Sequence, residues 1–195
     1  SQRGNIKILF PMVAHYEDII AVKEVIKEIM KDLRSWYGVN FTMPPIGAMI
    51  EMPSTVWQIE SILEEVDFVS IGTNDLVQYM FAVDRGNGSV SDYFKPMHPV
   101  ILSALKHIIK NAQKMKKGIS VCGEIAGNPL FTPILLGLGL RDLSMPPQAI
   151  SKVKPVISQL VTKDCRELVK QLLKMNTEHE VHSAVESFMA DRDLL

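Results

Sequence analysis

The sequence predicts an α/β fold built on a parallel sheet, and two observations carry that reading. Up to Ile150, short runs of large aliphatic residues alternate with longer segments whose apolar residues return every three or four places. Parallel neighbours need a crossover of roughly a dozen residues, usually helical, and the aliphatic runs are spaced to allow one. Beyond Ile150 the strand signal stops, and only helical periodicity remains.

The first run, Ile6 to Val13, is short, aliphatic and interrupted by a proline, as expected of a strand buried on both faces. Ile19, Val22, Ile26, Ile29 and Leu33 then form one face of a predicted helix, with Lys, Glu and Asp covering the other. Trp36 to Pro45 breaks the pattern and reads as a loop. Ile46 to Met52 is the second strand, and Pro53-Ser54 suits the start of a helix running to Glu65. Phe68 to Gly72 reads as the third strand, Pro99 to Lys116 as a long amphipathic helix, and Ile119 to Gly123 as the fourth strand. Phe131 to Leu138 is a further helix, and Leu143 to Met145 a short fifth strand. In the helical tail, Ile150, Val153, Ile157 and Leu160 share one face, and Val181, Val185, Phe188 and Met189 another.

At 195 residues and 47% hydrophobic, the chain can bury the core of one domain, expected over 1–195, without disulfides or a structural metal. Its net charge of −1, with no long runs of one sign, leaves no electrostatic footprint for nucleic acid or an anionic membrane. A small ligand is expected instead. Cys122 and Cys165 are its two cysteines, and neither lies in a CxxC or zinc-like spacing, which fits a reducing cytoplasm. No apolar stretch is long enough to span a bilayer, and the amino end lacks the order of a secretory signal.

In parallel α/β folds the reactive groups gather at the C-terminal ends of the strands. Glu51 ends the second predicted strand, Thr73-Asn74-Asp75 the third and Cys122-Gly123-Glu124 the fourth. Glu51 and Asp75 are hard oxygen donors on consecutive strands, the kind of pair that holds Mg²⁺ together with water and substrate oxygens. A lone acid at a strand end more often caps a helix or pairs with arginine, so that reading stands beside the metal site. Arg85, some way past the third strand, has by itself the plain reading of a surface charge. Cys122 brings a thiol toward the same opening, and its plainer reading is a small buried hydrophobe.

The segment Ser70-Ile71-Gly72-Thr73-Asn74-Asp75-Leu76-Val77-Gln78, with Arg85 a few residues on, resembles the SxGTNDLxQ signature of the phosphoenolpyruvate-utilising enzymes. Ile46-Gly47-Ala48-Met49-Ile50-Glu51-Met52-Pro53 and Val121-Cys122-Gly123-Glu124-Ile125-Ala126-Gly127 match the same family in the same order. The opening Ile8-Leu9-Phe10-Pro11-Met12 and the late Leu143-Ser144-Met145 also look like its barrel strands, so the likeness covers essentially the whole chain. Ala82 to Asn87 and Gly123 to Gly127 look like the enzyme I versions of these loops, and Met97-His98-Pro99 with Glu180-Val181-His182 leans toward the nitrogen branch. Asn128 departs from the family, which commonly has Asp there.

The resemblance implies a TIM (β/α)₈ barrel of which about five βα units are present, truncated on the amino-terminal side, with extra C-terminal helices. It implies that Glu51 and Asp75 bind Mg²⁺, that Asn74, Asp75 and Arg85 bind substrate, and that Cys122 protonates carbon 3 of the enolate left by phosphoryl transfer. Thiols are mostly protonated at neutral pH, which suits that last role. It further implies phosphoenolpyruvate and pyruvate as ligands, an HPr-like phosphocarrier as partner, and a homodimer. The phosphoacceptor histidine of enzyme I lies in a Gly- and Ser-rich motif of another domain, and none of His15, His98, His107, His179 and His182 sits in such a motif. Two alternatives stay open: the corresponding domain of a pyruvate-phosphate dikinase or phosphoenolpyruvate synthase, and a non-catalytic dimerisation module.

Overall fold

The computed structural model describes residues 5–38 and 42–194. Five parallel strands stand in chain order: β1 (Ile8–Phe10), β2 (Ile46–Ile50), β3 (Phe68–Gly72), β4 (Gly118–Cys122) and β5 (Asp142–Leu143). Each is joined to the next through helix, as the alternation predicts. β1, β2 and β5 are shorter than the predicted runs by one to several residues, because outer positions of those runs serve the turns, and β4 lies one residue earlier than predicted. β3 has the predicted ends. The predicted loop at Trp36 to Pro45 lies partly outside the described residues, and its first two positions belong to helix.

The sheet buries its rows differently on its two faces. Ile50 and Ile71 are level in the register, as are Ile71 and Val121, and all three have no exposed surface. They join one hydrophobic cluster with Ile59 and Ile62 from one helix, Leu105 and Ile108 from another, and Leu172, Val181 and Val185 from the tail. The alternate row on the other face carries Met49, Ser70 and Ser120, with the Ser120 hydroxyl donating to that of Ser70 at 3.1 Å. That face opens toward the candidate site.

α1 (Tyr16–Tyr37) begins where Asp18 accepts the Ala14 and His15 amides at 2.8 and 3.1 Å, and ends at left-handed Gly38. Only Ile19 of its residues is buried, while Lys23 ties it to Glu65 at 2.6 Å. The helix predicted from Pro53 to Glu65 is two pieces, α2 (Pro53–Trp57) and α3 (Ile59–Glu65), jointed at Gln58. The joint lets Val56, Ile59, Ile62 and Leu63 all turn inward, and the Gln58 side chain accepts the Tyr16 amide at 3.2 Å.

α4 (Thr73–Met80) starts on the residue after β3, where the sequence reading places a strand end and no helix. α5 (Pro99–Lys114) follows a long loop, with His98 capping it by accepting the Val100 amide at 3.2 Å. α6 (Glu124–Gly127) is a single turn after β4, and α7 (Thr132–Leu138) leads to β5. The tail is α8 (Pro147–Gln159), α9 (Thr162–Leu172) and α10 (Glu178–Ala190), the last opened by a reciprocal cap between Thr177 and Glu180. α9 lies against α7 so closely that a side chain at Gly137 would meet the backbone of Cys165. Among the described residues, no helix is long and apolar enough to cross a membrane.

Candidate functional site

The site forms where β2, β3 and β4 end together. Side chains alternate along a strand, so Glu51 continues the face of Met49, Gly72 that of Ser70, and Cys122 that of Ser120. Gly72 and Cys122 are register partners. A side chain on Gly72 would sit 2.5 Å from Glu51 Oε2, so the missing Cβ makes room for the carboxylate. Glu51 and Cys122 thus flank a bare position.

Glu51 is 3% exposed, and its Oε1 accepts the Met12 amide at 2.6 Å. Met12 adopts a left-handed φ of 54°, an uncommon conformation for a residue with a side chain, and its backbone amide meets that carboxylate. Burial pushes the Glu51 carboxyl above its ordinary pKa; the Met12 amide opposes this, and neighbouring Asp75, within hydrogen-bond reach, adds to it. Asp75 is half-buried in the first turn of α4. Two carboxylates facing each other call for a proton or a cation between them. Among the described residues, no group of three or more His, Cys, Asp or Glu side chains could hold a metal. Two carboxylates are a donor set of the kind that small hard cations such as Mg²⁺ take from protein, their other ligands coming from water or substrate.

This raised pKa has a consequence for the metal-free chain. Glu51 binds its proton more tightly when folded than when unfolded, so it favours the fold at low pH and loses that contribution as pH rises through its folded pKa. Asp18, held low by the Ala14 amide, and Glu65, held low by Lys23, act oppositely and weaken the fold only as pH falls below the ordinary carboxylate range. The stability difference between Glu51→Gln and the parent should widen in favour of the variant from about pH 4.5 to pH 8. Thermal unfolding at several pH values, without divalent ions, measures it; a pH-independent difference would contradict a buried, ionising Glu51.

Asn74 and Cys122 line a cavity of about 490 Å³ with Gly123, Glu124, Ser144 and Met145. Asn74 Oδ1 accepts the Glu124 amide at 3.1 Å, which leaves its NH₂ group as the free donor. Cys122 is half-buried, and its thiol donates to the Ile71 carbonyl at 3.4 Å. Cys165 is fully buried beneath α7, and burial pushes its thiol pKa up. Only Cys122 borders the cavity.

Of the five residues singled out in the sequence, Glu51 and Asp75 meet directly, and Asn74 and Cys122 share one cavity. Arg85 stands apart on the exposed loop after α4. Its amide donates to Gln78 Oε1 at 3.4 Å, while its guanidinium makes no hydrogen bond or ion pair among the described residues. Met12, Gly72 and Thr73 were not singled out individually. Gly72 enters through its register pairing with Cys122, and neither that pairing nor Met12 is signalled by a local sequence pattern.

The profile of the family described as PEP-utilising enzyme, PEP-binding domain, matches residues 1–162. A phosphoenolpyruvate-dependent phosphotransferase system protein of Salmonella typhimurium is 35% identical over 98% of this chain and 26% of its own length. A phosphoenolpyruvate-protein phosphotransferase of Mycoplasma genitalium is 34% identical over 100% of this chain and 33% of its own. Multiphosphoryl transfer protein 2 of Escherichia coli is 36% identical over 96% and 23%. The chain thus spans a quarter to a third of the length of these relatives. Among solved structures, a citrate lyase from Burkholderia xenovorans superimposes with a TM-score of 0.53 at 14% identity, covering 95% of this chain and 63% of that one, a likeness of fold.

Proposed function

Because the chain belongs to the PEP-utilising enzymes through their PEP-binding domain, we propose that it is that domain of an enzyme I-type phosphoenolpyruvate–protein phosphotransferase. The whole protein moves the phosphoryl group of phosphoenolpyruvate to one of its own histidines, lying outside this chain, and from there to an HPr-like phosphocarrier. Pyruvate leaves. The observation that carries this reading is the register, in which Glu51 and Cys122 flank side-chain-free Gly72 while Asp75 pairs with Glu51.

Glu51 and Asp75 are the residues that would hold Mg²⁺. When bound, the ion supplies compact positive charge against the charge that builds on the substrate oxygens. Asn74 donates its NH₂ to the phosphate, its oxygen being already committed to Glu124. Arg85 adds a forked contact from its exposed loop, where no other group competes for it among the described residues. Loss of the phosphoryl group leaves the enolate of pyruvate. The Cys122 thiol gives its proton to carbon 3, the carbon–carbon double-bond pair forms the new C–H bond, and a lone pair of the enolate oxygen closes the carbonyl. The thiolate then takes a proton from water. The proposal includes a homodimer and a cytoplasmic setting, both resting on the resemblance to enzyme I.

A dikinase or phosphoenolpyruvate synthase shares the barrel, but the relatives named above are phosphotransferase and multiphosphoryl transfer proteins. The test is to give the whole protein phosphoenolpyruvate and Mg²⁺ and to look for acid-labile phosphohistidine. Its formation, followed by transfer to an HPr-like carrier, is the expected result. A folded protein that forms none would sink the proposal.

A further inference from the structure

The turn that carries Cys122 is clasped from one side. Thr73, the first residue of α4, is 1% exposed, and its hydroxyl donates to the Cys122 carbonyl at 2.8 Å. This bond leaves its own helix and spans 49 positions of sequence to reach the next strand. The adjacent Asn74 takes the Glu124 amide at 3.1 Å, so the Cys122-Gly123-Glu124 turn is held at both ends by consecutive residues. Gly123 sits under the clasp with φ +94°, and a Cβ there would lie 2.6 Å from Thr73 Oγ1 and 2.9 Å from Asn74 Oδ1. The thiol itself donates to Ile71, two residues before Thr73 on the same strand end.

We propose that Thr73 is a positioning residue for the Cys122 thiol, acting through its hydroxyl on the Cys122 carbonyl; this rests on the reading of Cys122 as proton donor. A proton must reach one carbon of a small substrate, and displacing a reacting group by about 1 Å can cost on the order of 100-fold in rate. β4 ends at Cys122, and the Thr73 hydroxyl takes the carbonyl of that last strand residue. A hydroxyl on the first residue past β3 therefore fixes the direction in which β4 delivers its thiol. Thr55, buried as deeply, spends its hydroxyl on Met52 three residues away and joins no second strand.

The test uses two substitutions and two readouts. Thr73→Val keeps the shape and removes the hydroxyl, whereas Thr73→Ser keeps the hydroxyl. In the whole protein with Mg²⁺ and pyruvate in D₂O, exchange of the pyruvate methyl protons followed by NMR reports proton delivery at carbon 3. Thr73→Val should slow exchange about 10- to 100-fold with pyruvate KM unchanged, and Thr73→Ser should restore most of the rate. Alkylation of Cys122 by iodoacetamide, located by mass spectrometry with buried Cys165 as internal control, needs no turnover. Thr73→Val should raise it about fivefold, the change in local opening that loss of one net hydrogen bond produces, and Thr73→Ser should not. Restoration by Val instead of Ser in either readout would mean packing rather than positioning and would overturn the proposal. Absence of exchange in the parent, or exchange unchanged by Cys122→Ala, would count against the proton-donor reading, and the alkylation arm would still decide whether Thr73 holds the thiol.

Discussion

Glu51→Gln in the whole protein is expected to lower phosphohistidine formation from phosphoenolpyruvate by about 1,000-fold or more, the scale of losing a principal charge stabiliser. The same change in this chain, without metal, is expected to raise the melting temperature at neutral pH. Both effects have one cause. The Glu51 carboxylate is buried beside Asp75, so its charge is costly until a cation shares it. An amide has nearly the same shape, still accepts the Met12 amide and can donate to Asp75, so the fold gains what the metal site loses. A stopped-assay phosphohistidine measurement and a calorimetric scan settle the two halves independently. Lower activity together with lower stability would point to general damage and contradict the account.

Gly123→Ala is expected to be the most damaging small substitution near the cavity. At φ +94° and ψ −170° the backbone occupies a region essentially reserved for glycine, and forcing a side chain into it costs about 1–3 kcal/mol. The added methyl would also collide with Thr73 Oγ1 and Asn74 Oδ1, so it cannot be accommodated without breaking the clasp. For a domain of this size about 2 kcal/mol lowers the melting temperature by roughly 4–8 °C. Denaturant unfolding should show a lower midpoint with an unchanged slope. Pyruvate methyl exchange should fall with it, because the same shift moves Cys122. A variant as stable as the parent would mean that this turn relaxes freely.

How much of this was readable in the sequence follows from the range of each interaction. β3 was legible from Phe68 to Gly72 because a short aliphatic run bounded by Asp and Gly has one sensible reading. α4 was not, since Thr73-Asn74-Asp75 has the composition of a turn, and only tertiary packing of Leu76 and Val77 commits it to helix. Nor was the joint at Gln58, where the periodicity continues straight through. The strand-end positions of Glu51, Asn74, Asp75 and Cys122 followed from counting strands. That Glu51 fills the space left by Gly72 depends on register between strands, which no local pattern encodes. Arg85 lies on a loop whose approach to the other four is not dictated by any strand.

The strand order, running from β1 to β5 with each neighbour next in the chain, bears on how the protein is made. A ribosome releases the amino end first, at roughly 5–20 residues per second. Each strand then emerges to find its partner already outside, and no paired edge has to wait for a segment not yet translated. β2, β3 and β4, with Glu51, Asp75 and Cys122 at or just past their ends, are synthesised before α8, α9 and α10. The tail helices come last, and their Leu172, Val181 and Val185 complete the apolar cluster on the sheet face turned away from the site.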